Sequence, residues 1–85
     1  MSEEEIEIIF NAHNDNYKEF TVPIKCKPSD LVETIQQKFI EKAGFQGKEL
    51  LFLYDSNLLN AFMTVKEQGL TDKSEIIVTE GAFIG

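Results

Sequence analysis

The side chains best suited to chemistry in this sequence are a single cysteine, Cys26, and a single histidine, His13. A cysteine attacks as its thiolate, which needs a neighbouring base or a depressed pKa. Tyr17 to Cys26 reads as one extended segment. Nine strand steps, roughly 30 Å in all, therefore separate the sulfur from the turn that carries His13. Cys26 is expected as a small buried core residue and His13 as a solvated turn residue. Metal centres need several Cys or His ligands at set spacings, and the lone Gly44-x-x-Gly47 is not a phosphate loop. No catalytic residue, metal or cofactor is expected, and the chain reads as a non-enzyme.

The elements that would carry any function must come from one core, because 85 residues match the size of one domain, 1–85. Ends at 1–4 and 81–85 are expected to be mobile. Hydrophobic residues make up 42% of the chain and prolines number two, a composition that folds. A formal charge of −7 repels phosphate backbones and anionic membranes, so neither nucleic acid nor membrane is an expected partner. The start, Met1-Ser2-Glu3-Glu4-Glu5, is acidic where a secretory signal is basic, and no apolar stretch has the length of a membrane span. With one cysteine and no internal disulfide, the expected setting is the cytoplasm, the nucleus or both.

Ile6, Ile8 and Phe10 alternate with polar neighbours, the period of a strand with one face buried. His13-Asn14-Asp15-Asn16 favours a reversal. A second strand then runs from about Tyr17 with Phe20, Val22, Ile24 and Cys26 inward. Pro23 lies on the other parity and marks that strand as a sheet edge. After Pro28-Ser29, Asp30 is expected to cap a helix with Glu33 completing a capping box. Val32, Ile35 and Phe39 follow at helical spacing, and Gly44 ends a helix of roughly Asp30 to Ala43. Glu49 to Tyr54 reads as a third strand and Leu58-Leu59 as a brief fourth. Thr64 to Leu70 is a half-buried excursion, and Ser74 to Thr79 a last strand. The order predicts an α+β fold, one helix packed on one face of a mixed sheet of four to five strands.

One helix covers one face only. If Leu50 and Phe52 face it, Leu51 and Leu53 face away, as does Ile77 on the last strand. Leu51, Leu53 and Ile77 are thus expected to form an apolar patch on the open side of the sheet, a contact surface for another protein.

From Pro28-Ser29-Asp30 onward the sequence resembles the ubiquitin family, whose helix follows the same triplet, and it can be laid on ubiquitin without a gap to Gly85. Val32, Ile35, Phe39, Leu50, Phe52, Leu59, Val65, Leu70, Ile76 and Val78 fall on apolar core positions, and Gly44 on the glycine after the helix. The first hairpin also fits, with a turn about four residues longer, a length that surface turns accept. The resemblance implies the ubiquitin-like β-grasp fold. Leu53, Ile77 and Thr79 fall on the patch through which ubiquitin meets most of its receptors. The resemblance therefore implies an interaction domain that offers Leu51, Leu53, Ile77 and Thr79 to proteins reading such a patch in the ubiquitin and proteasome systems; a monomer is expected, although the same apolar face would also suit a homodimer. The alternative it implies is a modifier conjugated through Gly85, since a residue without a side chain can enter narrow activating channels. Asn57 and Asp72 stand where ubiquitin builds its main chains, so polyubiquitin-like signalling is not expected.

Overall fold

Alternating apolar residues commit the first two segments to a hairpin, β1 (Ile6–His13) and β2 (Glu19–Cys26), in the computed structural model, which describes residues 4–13 and 18–80. The chain continues through α1 (Val32–Ala43), β3 (Leu50–Tyr54), β4 (Asn57–Leu58) and β5 (Glu75–Glu80). The five strands form one sheet in the order β2-β1-β5-β3-β4. β1 and β5 run parallel, and the β1–β2, β3–β5 and β3–β4 pairs are antiparallel. This is the α+β arrangement expected, a mixed sheet with one helix. β2 is an edge strand, and Pro23, which has no N–H to give, sits on it opposite Ile9. Apart from Glu4, the end segments expected to be mobile lie outside the described residues.

The buried set follows strand parity. Ile8, Phe10 and Ala12 of β1, Val22, Ile24 and Cys26 of β2, Phe52 of β3, and Ile76 and Val78 of β5 join Ile35 and Phe39 of α1 in one core. Phe39 stacks on Phe10 at 4.9 Å between ring centroids, and Phe52 meets both rings edge-on at 5.9 and 6.0 Å. Burying each of these side chains contributes about 1.5–3 kcal/mol, more than a helix cap, so docking on the sheet is what holds α1.

The helix does not begin as its sequence suggests. Leu31 occupies the N-cap position without a side-chain hydrogen bond, and the helix starts at Val32 rather than near Asp30. The carboxylate of Asp30 instead accepts the Lys27 N–H at 2.9 Å, closing the turn before the helix. Backbone carbonyls of another segment take the capping role: Val32 N–H donates to Met63 O at 2.8 Å and Glu33 N–H to Ala61 O at 3.1 Å. A helix start needs its free N–H groups satisfied, and here tertiary structure supplies the acceptors. The other end forms as expected, with Gly44 left-handed at φ 75° and both Gly44 N–H and Phe45 N–H donating to Ile40 O. Phe45 then folds back to meet Phe39 edge-on at 5.6 Å.

A capping box does form, but at the excursion between β4 and β5. Thr64 N–H donates to Glu67 Oε1 at 2.9 Å, and Glu67 N–H to Thr64 Oγ1 at 3.1 Å. That turn buries Val65 and Leu70 against the core and is bridged to Leu31.

Candidate functional site

The open face of the sheet is built by register. Leu53 stands directly opposite Ile77, and Leu51 opposite Thr79, across β3 and β5. The four residues expected to form a contact surface are therefore two adjacent cross-strand pairs, with side chains close enough to touch along and across the strands. Phe52 and Val78, between them in sequence and paired with each other, point into the core. Leu51, Leu53 and Thr79 are half-buried, and Ile77 is 38% exposed.

The sequence reading missed a member of this surface. Leu58, 62% exposed, pairs with Leu53 across β3 and β4. Its face is decided by the two-residue connection Asp55-Ser56, where both residues have positive φ, 54° and 67°. That geometry is the tight hairpin turn that suits strand twist, and it places Asn57 opposite Tyr54 and Leu58 opposite Leu53. The sequence signal was the two-residue spacing; the glycine that usually announces such a turn is missing.

One row thus crosses all five strands, with Thr21, Asn11, Ile77, Leu53 and Leu58 taken in sheet order. Its apolar part, Ile77 to Leu58, spans roughly 10 Å at the usual strand spacing, and Leu51 extends it about 7 Å along β3. The neighbouring row is Pro23, Ile9 and Glu75. Leu53 and Ile77 have strand partners on both sides, whereas β4, which carries Leu58, is an edge of the sheet.

The charges on this face are unequal. Lys25 stands opposite Glu7, and Lys73 is hydrogen-bonded to Glu7, which raises the lysine pKa. His13 Nε2 lies 3.8 Å from Glu19. The carboxylates nearest the patch are not matched in this way. Glu75 precedes Ile77 by two residues on β5 and takes only a hydrogen bond from Asn11, at 3.3 Å. Asp55 follows Leu53 by two, and Glu49 precedes Leu51 by two. None of these three forms an ion pair among the described residues.

A family model described as ubiquitin-2 like, Rad60 SUMO-like, matches residues 6–79, which include every strand and the helix apart from the last residue of β5. The chain belongs to this SUMO-like family. Among solved structures, a protein designed de novo on the basis of ubiquitin matches with a TM-score of 0.70 and 21% identity over 95% of each chain. At that identity the likeness shows the ubiquitin-like fold alone. Comparison with curated proteins gave no match.

The other residues singled out in this SUMO-like domain fall apart. Cys26 is 2% exposed and pairs with Ile6 at one end of the hairpin, while His13 is exposed at the other. Burial, with the negative charge of Asp30 adding to it, pushes the Cys26 thiol up to about 11. A buried thiol with so high a pKa is a core residue, not an activated nucleophile. Gly85 lies outside the described residues. Among the described residues no helix is long and apolar enough to cross a membrane.

Proposed function

We propose that this SUMO-like domain is a protein-binding module, presenting Leu51, Leu53, Leu58, Ile77 and Thr79 to receptors of the ubiquitin and proteasome systems in the cytoplasm or nucleus. The observation that supports this most is the pairing of Leu53 with both Ile77 and Leu58 on the face that the helix leaves open. Core packing does not require these side chains. Apolar residues kept together on an exposed face mark a contact surface. A monomer is the form this reading requires, with the face free for a receptor.

The test is calorimetric titration of wild type, Leu53→Ala and Phe62→Ala against receptor domains that read ubiquitin-like sheet faces. Phe62, 84% exposed in the loop beside the helix start, serves as a control away from the patch. Leu53→Ala is expected to lose about 1.4–3 kcal/mol of binding, tenfold or more, with the fold intact, while Phe62→Ala binds as wild type. Equal affinity of Leu53→Ala and wild type would sink the assignment. A denaturation-resistant ladder of conjugates that deletion of Gly85 removes would instead support the modifier alternative.

A further inference from the structure

We infer that the cleft where the start of β1 meets the turns before α1 and β5 binds an apolar residue by its free α-amino group, the chemistry shared by a peptide N-terminus and a free amino acid. The cleft has a volume of about 380 Å³, at the lower end of the range of small-ligand sites. Ile6, one of its lining residues, shares strand parity with Ile8 and Phe10, which point into the core. The cleft therefore continues the core side of β1 and is separate from the face that carries Leu53 and Ile77.

Backbone bonds hold its walls together. Lys66 N–H donates to Pro28 O at 2.9 Å, Leu70 N–H to Val65 O at 3.1 Å and Lys73 N–H to Glu7 O at 2.7 Å. Glu7 N–H donates to Asp72 Oδ1 at 2.8 Å, which fixes that carboxylate at the cleft. Ile6, Pro28 and Leu70 give the lining an apolar surface, and Glu4, Asp72 and Lys66 supply its charges. Among the described residues none of these three forms an ion pair, and the neighbouring cation, Lys73, is bound to Glu7. An apolar surface, two carboxylates and one ammonium complement three groups that sit on a single Cα: an apolar side chain, an α-ammonium and a carbonyl or carboxylate oxygen. The α-ammonium decides the selection, because the carboxylates outnumber the lysine and charge-assisted hydrogen bonds are the strong ones.

The probes are Leu-Ala amide, its N-acetylated form and free leucine, each titrated into the isotope-labelled 85-residue chain and followed by amide chemical shifts. The titrations are run below about pH 7, where an α-amino group is charged. Leu-Ala amide is expected to shift Ile6, Leu70, Thr71 and Asp72 and to bind about tenfold more tightly than the acetylated peptide, as one or two screened charge pairs supply. Glu4→Gln with Asp72→Asn should abolish that preference. Both sites are exposed, and the asparagine keeps a side-chain oxygen for the Glu7 amide, so the fold tolerates the change. Tighter binding of Leu-Ala amide than of free leucine assigns the site to a peptide N-terminus, and the reverse to a free amino acid. Equal binding of the free and acetylated peptides, a preference that survives in the double variant, or no shifts at the cleft overturns the inference. Each of these outcomes leaves the sheet-face reading where it stands.

Discussion

A half-buried leucine on a sheet surface contributes little to stability and a large amount to a contact made there. Leu53→Ala is accordingly expected to change the unfolding free energy by less than about 1 kcal/mol, a value that chemical denaturation reads directly. Phe39→Asp, at a fully buried position stacked on Phe10, is expected to unfold the domain, seen as loss of the helical signal in circular dichroism. Cys26 gives a pH test. Its thiol is raised from the ordinary 9.0 to about 11 by burial, so the unfolded chain releases the proton first as pH rises. The folded state then binds more protons than the unfolded one. Stability contributed by the neutral thiol is complete below pH 9.0 and is lost between there and about 11. The difference in unfolding free energy between wild type and Cys26→Ala should therefore narrow across that window, and a difference constant with pH would show that the thiol is not shielded. Strand alternation alone gave the faces of Leu51, Leu53, Phe52 and Cys26, because side chains of a strand reverse face at every step. It did not give Leu58, whose face depends on a turn geometry that Asp55-Ser56 does not advertise.

At the scale of elements, that same turn is strained, since two residues with side chains hold a left-handed backbone. Ser56→Gly is expected to stabilise the domain by about 0.5–1 kcal/mol by removing the Cβ penalty, measured as a rise in denaturation midpoint; a fall would mean that the serine makes a contact worth more than the strain. The start of α1 shows the opposite limit of sequence reading. Asp30 and Glu33 have the spacing of a capping box, yet the carboxylate of Asp30 is taken by the Lys27 amide and the helix amides by Ala61 and Met63. A local pattern names groups able to cap; it does not say which of them tertiary contacts will use. The pattern at Thr64 and Glu67 was equally visible and does form, in the turn that carries Val65 and Leu70 into the core. Glu67→Ala should cost about 1 kcal/mol by leaving the Thr64 amide without its acceptor, again by denaturation.

For the whole molecule, the order of elements was legible because each core position agreed with the same layered arrangement: hairpin, capped helix, two short strands and a returning strand. Parallel pairing of β1 with β5 follows from that order, since the chain must return to the centre of the sheet to place Ile76 and Val78 beneath the helix. The consequence for function is geometric. The helix shields one face, β2 and β4 occupy the edges, and of the exposed large apolar residues Leu58 and Ile77 stand on the other face while Leu31 and Phe62 lie by the helix start. The acidic character of the chain was also plain from composition, but its concentration beside the patch was not, because only register brings Glu75 and Asp55 to one end.

The most direct test of the sheet face as binding surface is amide chemical-shift mapping of the isotope-labelled domain against a receptor domain that binds it. Shifts centred on Leu51, Leu53, Leu58, Ile77 and Thr79, and lost in Leu53→Ala, are the predicted result. Shifts centred on α1 or the β2 edge, with the central strands unmoved, would contradict it.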